Sequence, residues 1–418
     1  MSKALFRKTC LAVNAATLGI FAFCFLLLAL NSAKGLDITD RSFYLLWADQ
    51  AENVTGSLTH FGFVTGAIYD LVGQNIAAFR LAGLIILATL ALVFAWSLQR
   101  YLIQKLPDLS SPSFTTAMSL AILCGSLFYY HRWLHAPSYN WLALASALIS
   151  ISAALRFAAG GRMLPSATVL AFGGALAFTA KPTTALALGL ATAAFILIHR
   201  FALREWIFLL SSAALSFLLL SGFAWVCFGS FSSYIDNLRL GQELSTALGG
   251  GHTIGLTLAR SCQQILDFLL WWAQSPFVLV YGLLVIAFVS FRFFRPDSLP
   301  TVYLKNGLPF LLLFLFIFLG SRLLSHEQGF YLSTILNSQL GVLGLTAIGL
   351  FWGRTSKQEG SRLQRGMVLL LVGLLVSAAL APPFGTISDV VRRMSQYVVF
   401  LAAATSIMFN LISPARLK

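Results

Sequence analysis

Charge is what this sequence has least of. Only 10% of its 418 residues are Asp, Glu, Lys or Arg, whereas 58% are hydrophobic, and the mean hydropathy is +0.83. A water-soluble domain of this length could not cover its surface with so few polar groups. The alternating apolar and polar segments of a membrane-spanning barrel are also missing. What remains are apolar runs near 20 residues, the length at which a helix crosses the roughly 30 Å hydrocarbon layer. The five cysteines, Cys10, Cys24, Cys124, Cys227 and Cys262, show neither CxxC nor metal-ligand spacing, although Cys227 and Cys262 flank one loop. There is no HExxH, GxSxG or P-loop, and no internal repeat.

The fold class is therefore all-α: a polytopic transmembrane helical bundle forming a single domain over 1–418, with no separate soluble domain. The apolar runs predict about twelve spans, at 11–30, 77–98, 113–130, 139–155, 165–180, 183–198, 206–228, 265–291, 307–322, 330–352, 366–381 and 396–413. The first follows a basic flank, "MSKALFRKTC". It is near full spanning length with no small-x-small cleavage site after it, so it reads as an uncleaved span. The runs 165–180 and 183–198 are separated by little more than "KP" and predict a tight helical hairpin.

Sidedness follows from Lys and Arg. With the N- and C-termini cytoplasmic, the inner segments hold 18 of the 28 basic residues and four acidic ones, so the whole net charge of +14 lies inside. That is the positive-inside pattern, and it needs no nucleic-acid partner. Ten of the fourteen carboxylates then fall on the outer side, where orientation does not require them. No ionisable side chain falls near a predicted midplane, which disfavours an ion-coupled transporter.

The outer segments carry the polar candidates. Residues 31–76 contain "SFYLLWADQ" and "LTHFGFVTGAIYDLVGQ", in which Phe61, Val64, Ile68 and Leu71 recur at helical spacing. This predicts one or two short helices lying along the outer membrane surface. Such helices would hold Asp37 and Asp40 at the lipid boundary, where a partly desolvated carboxylate can act as a base; capping a helix or solvating a loop is the other use of such acids. In "AFTAKPTTALALG", Lys181 stands beside the start of a helix whose first residue is Pro182. Free N–H groups and a lysine together favour phosphate, and a lysine snorkelling to the interface is the alternative.

"GSRLLSHEQGFY" places Arg322, His326 and Glu327 at another outer mouth. Arg322 is suited to bidentate phosphate contact and His326 to the same group or a sugar hydroxyl, or Arg322 pairs with Glu327. "YYHRWLHAPSYNWLAL" gathers His131, Arg132, His135, Tyr139 and Asn140 among aromatics that also suit a membrane interface. His60, Arg132, His135, Tyr139 and Glu327 are the candidates for contact with substrate. The second long outer loop, 229–264, contains Gly249-Gly250-Gly251 and reads as a flexible segment able to gate a cavity.

Together these segments resemble the glycosyltransferase C superfamily of many-spanning membrane enzymes. "TDRSFYLLW" is similar to the "DEGxYL" pattern of its first outer loop, with Asp40 at the leading aspartate and Arg41 where the second acid stands. Either Asp37 replaces that second acid or a single aspartate suffices. "HFGFVTGAIYDLVGQNIAAFRLAGLI", "APSYNWLALASALI", "KPTTALAL" and "PPFGTISDVVRR" resemble further blocks of bacterial members.

The resemblance implies transfer of a sugar from a polyprenyl-phosphate donor to a hydroxyl of a glycan, lipid or protein acceptor, at the periplasmic face of a bacterial inner membrane. Asp40 is then the general base, aided by Asp37, while Lys181, Arg322 and His326 bind the donor phosphate. The anomeric centre inverts. No metal is obligatory, because Lys and Arg can neutralise the phosphate, although Asp37, Asp40 and Glu52 could hold a divalent cation. Two rivals stay open: a lipid-linked glycan ligase or polymerase, for which Arg239, His252 and Arg260 would serve, and a flippase or transporter of an amphiphilic glycolipid.

Overall fold

The computed structural model describes residues 3–34, 40–107, 110–130, 134–247, 259, 263, 359–382 and 397–411. Among them it is all-helical, with twelve α-helices. These are α1 (Lys3–Leu30), α2 (Asp40–Asp49), α3 (Phe61–Leu71), α4 (Ile76–Lys105), α5 (Pro112–Leu127), α6 (Tyr139–Ala158), α7 (Met163–Ala180), α8 (Pro182–His199), α9 (Leu203–Phe228), α10 (Phe231–Ala247), α11 (Glu359–Leu380) and α12 (Val398–Leu411). Helices α4, α6, α7, α8 and α9 are long and apolar enough to cross a membrane, and α1, α5 and α11 contain shorter apolar stretches. The chain is an integral membrane protein. Nine of the predicted spans fall on described helices; those at 265–291, 307–322 and 330–352 lie outside the described residues.

Helix limits follow local chemistry. α4 begins where the Asn75 side chain accepts from the Ala78 N–H at 3.0 Å, which supplies one of the orphan donors of a first turn. It runs past the apolar segment because Ser97, Gln99, Arg100 and Gln104 are compatible with helix and no proline intervenes before Pro107. α9 ends at Gly229, whose left-handed φ of 75° glycine adopts without a Cβ penalty. Pro182 opens α8, where its missing N–H costs nothing.

The centre of the bundle is α6. It packs against α4, α7 and α8, and of its residues only Tyr139, Ile149 and Arg156 are not buried. Its small side chains allow this close approach where apolar lipid gives helices no reason to associate. Ser146 and Ser152 return their hydroxyls to the carbonyls of Ala143 and Leu148, so burial leaves them satisfied. α5 packs on α1, α4 and α12, while α11 bridges α8 and α12. By contrast α9 exposes Phe217, Leu218, Trp225 and Val226, an apolar flank suited to lipid.

The two short helices expected between the first two spans are present as α2 and α3. They are fitted to each other by glycine. A Cβ at Gly66 would lie 2.5 Å from the Ala48 carbonyl oxygen, and one at Gly62 would lie 2.5 Å from the Trp47 ring. The segment expected to open as a flexible loop after the seventh span is instead helical over 231–247. Its repeat of Phe231, Tyr234, Leu238, Gly241 and Leu244 follows helical spacing, and a Cβ at Gly241 would collide with the backbone of Ser57 and Leu58. Gly249, Gly250 and Gly251 lie outside the described residues, as do His252, Arg260 and Cys262. Cys227 is a free thiol.

The helix ends sort into two groups. Ser32, Lys34, Arg80, Tyr139, Lys181, Phe228 and Pro382 are joined by contacts at one end, and Tyr101, Arg156, Gly161, His199 and Arg204 are joined at the other. The first group is termed the outer end and the second the inner end.

Candidate functional site at the outer end

Lys181 is the hinge of the α7–α8 hairpin. Its backbone is extended, with φ −160° and ψ 121°, so that it closes α7 through an N–H to the Ala177 carbonyl and accepts the first helical bond of α8 from Ala185. Its side chain is only 6% exposed, so it does not snorkel. The ammonium donates to Asn140 Oδ1 at 2.8 Å and to the Pro382 carbonyl at 3.2 Å, and it lies 4.7 Å from the Tyr139 ring centroid. A buried cation is tolerated only where dipoles replace its water. The amide, the carbonyl and the ring face are those dipoles. Thr184 donates to the same Pro382 carbonyl at 3.4 Å.

Asn140 is held by the start of α6. Ser138 caps that helix by accepting from the Trp141 N–H, and its hydroxyl is shared with Tyr129 at 3.1 Å. The Trp141 indole donates to the Gly83 carbonyl and to the Tyr130 hydroxyl, both at 3.1 Å. This fixes α6 against α4 in the turn that carries Tyr139 and Asn140.

The first outer segment reaches the same place through aromatics. Tyr44 packs edge-on against Tyr139, with ring centroids 5.4 Å apart, and against Phe61 at 5.6 Å. Phe61 in turn meets Trp47 at 4.8 Å and Tyr139 at 5.9 Å. Such tilted pairs fix geometry as well as burying area. Asp40 opens α2, four residues before Tyr44. Upstream, the buried guanidinium of Arg80 donates to the carbonyls of Ser32 and Lys34 at 2.9 and 3.1 Å, fixing the chain just before the stretch that contains Asp37.

His60 lies behind this layer. Its N–H donates to the Thr179 carbonyl at 2.8 Å, two residues before Lys181. Its ring is 1% exposed, sits between Phe228 and Tyr234 at 5.0 Å from each, and contacts Asn237 Oδ1 through Nε2 at 3.2 Å. The Ser57 N–H also points to that oxygen, so Nε2 carries the proton, and Nδ1 is a buried acceptor with no partner among the described residues. Burial holds the imidazole below its ordinary 6.5, partly offset by Asn237. His60 therefore ties α10 and the chain ahead of α3 to the hairpin that carries Lys181.

His135 is half-buried against Tyr129 and Tyr130, with ring centroids 6.0 and 6.4 Å away. Asp37, Arg132, Arg322, His326 and Glu327 lie outside the described residues. Among the described residues no three His, Cys, Asp or Glu side chains gather as a metal would need. Thr184, Arg80, Tyr44 and Asn237 are site or supporting residues that the sequence did not single out, and Asn140 was named in its cluster without a role. For Asn140 a signal existed, because it is an amide in the first turn of an apolar span. Pro382 enters through a backbone carbonyl, which no side-chain pattern announces.

No family model matches the sequence, and no curated protein matches it. Among solved structures, the chain is similar to arabinosyltransferase EmbB from Mycobacterium smegmatis, with a TM-score of 0.34 and 16% identity. The match takes in 97% of this chain and 41% of that one, so the chain spans less than half the length of the enzyme it matches. At that score the likeness carries no functional weight.

Proposed function

We propose that the protein is a membrane glycosyltransferase that moves a sugar from a polyprenyl-phosphate donor to an acceptor hydroxyl at the outer, periplasmic face of a bacterial inner membrane. One observation supports this reading above the others. The five blocks that carry the sequence resemblance are dispersed from residue 39 to residue 393, yet described residues of three of them meet at one ammonium group and residues of the other two pack on the Tyr139 ring beside it. Tyr139 and Asn140, Lys181 and Thr184, and Pro382 come from three of them, and Tyr44 and Phe61 from the other two. A scaffold has no need to bring these blocks together at a buried lysine.

The chemistry follows from this placement. The donor lies with its polyprenyl tail between spans and its phosphate beside Lys181 and the first turn of α8, where a cation and the positive end of a helix dipole act together. Asp40 accepts the proton of the acceptor hydroxyl while that oxygen bonds to the anomeric carbon. The bond from that carbon to the phosphate oxygen breaks in the same step, polyprenyl phosphate leaves, and the centre inverts. Lys181, already held by Asn140 and Pro382, stabilises the charge that grows on the leaving phosphate without reorganising. Arg322 and His326 are assigned to the same phosphate, and Asp37 to support of Asp40.

The test is transfer from a panel of radiolabelled polyprenyl-phosphate sugars by the purified chain. Consumption of one donor, lost in Asp40→Asn at matched folded protein while donor still binds, supports the reading. If no donor in a broad panel is consumed and the reconstituted protein translocates labelled glycolipid instead, the transporter takes its place.

A further inference from the structure

The inner end carries a second arrangement that the proposed transfer does not use. Trp96, on α4, is 43% exposed, and two guanidinium groups share its ring. Arg100, one turn further along α4, lies 5.4 Å from the ring centroid, and Arg156, in the last turn of α6, lies 5.0 Å from it. Both arginines are exposed. Neither has a carboxylate or a hydrogen-bond partner among the described residues. Arg204 at the same end is different, because it donates to the Gly161 carbonyl at 3.0 Å while lying over Phe157 at 4.9 Å.

Two cations drawn to one ring from different helices repel each other, and an anion between them removes that cost. A guanidinium offers planar, paired donors to phosphate oxygens. The surface leading away from the pair is apolar: Leu92 and Ile85 lie on the same stripe of α4 as Trp96 and are 50% and 47% exposed. Beside it, α6 is buried along its length except at Tyr139, Ile149 and Arg156. The stripe runs from the guanidinium groups toward the middle of the bundle, the direction an acyl chain takes from its headgroup. A phosphate free in solution would have no use for it.

We propose that Arg100, Arg156 and Trp96 form a headgroup site for an anionic phospholipid of the cytoplasmic leaflet, whose acyl chain lies along Leu92 and Ile85. Basic side chains at this depth attract anionic lipid in general. What distinguishes a site is dependence on these two arginines and on guanidinium geometry.

The experiment measures quenching of Trp96, isolated as the difference between the wild-type chain and Trp96→Phe, by phosphatidylglycerol or phosphatidylcholine with brominated acyl chains in nanodiscs. Preference for phosphatidylglycerol is expected at about tenfold, falling to about twofold or less in the Arg100→Gln/Arg156→Gln variant. The Arg162→Gln/Arg200→Gln variant removes two other exposed inner charges and is expected to keep the preference. An Arg100→Lys/Arg156→Lys variant, which keeps the charge, is expected to lose most of it. Equal quenching by both lipids overturns the proposal, as does full retention in the lysine variant or an equal loss in the control pair. Displacement by inorganic phosphate would show a site for the free anion and overturn it too.

Discussion

The two ends of the bundle use cations in opposite ways. At the outer end Lys181 is buried and held by an amide, a carbonyl and a ring. At the inner end Arg100 and Arg156 are exposed and share a ring that is itself exposed. Withdrawing an ammonium from water is costly, and the fold meets the cost with the Asn140 amide and Tyr139 ring of α6 and the backbone carbonyl of Pro382 just after α11. An arginine at the membrane surface costs little, and orientation alone favours it there. The lesson is that a cation in this chain is either buried against dipoles, as Lys181 is, or left exposed over an aromatic ring, as Arg100 and Arg156 are. Lys181 alone among the cations named here is the point where separated sequence blocks converge.

Substitution of the proposed base should break the comparison most sharply. Asp40→Asn is expected to lower transfer by about 10²- to 10⁴-fold with donor binding retained, whereas Arg100→Gln/Arg156→Gln should leave single-turnover transfer in detergent unchanged. Lys181→Ala comes next. It should lower transfer by about 10²- to 10³-fold and destabilise the fold by about 1–3 kcal/mol, because Asn140 loses its donor and the Pro382 carbonyl keeps only Thr184; thermal unfolding of the purified variant measures the second effect.

Helix fit gives a smaller effect. Gly66→Ala should cost about 1–3 kcal/mol by forcing α2 from α3, while Gly189→Ala in α8, where a Cβ meets nothing within 4 Å, should be neutral or slightly stabilising. Equal melting temperatures for the two would remove the claim that the first outer segment is tightly seated.

The smallest effect is one of pH. The imidazole of His60 titrates below 6.5 in the folded protein because of its burial. Between that lowered value and 6.5 the undocked state binds more protons, so docking is complete above 6.5 and weakens as pH falls. Hydrogen exchange of α10 amides, corrected for intrinsic rates, should quicken at acid pH in the wild type, and His60→Gln should remove that dependence.

Apolar run length made the spans legible, because bilayer thickness sets helix length in this solvent. Pro182 and the short "KP" break foretold the hairpin, and helical spacing foretold α3. α10 was missed because its polar composition and the nearby glycine run suggested a loop, while its periodicity was subordinate to both. Lys181 was legible as a candidate from its place before a helix. Its burial was not, because the partners come from 41 residues upstream and 201 downstream. No pattern in one sequence reports such a meeting. The aromatic path from Tyr44 to Tyr139 was hidden for the same reason, since tyrosine at a span end also reads as an interface residue.

The central claim is that Lys181 receives the donor phosphate, and equilibrium binding of a polyprenyl phosphate to the full chain in nanodiscs tests it most directly. Lys181→Gln should bind about tenfold or more weakly than wild type at matched folded protein, the loss expected for a hydrogen bond to a charged group. Equal affinity in the two proteins would contradict the account and leave Lys181 as a structural clamp.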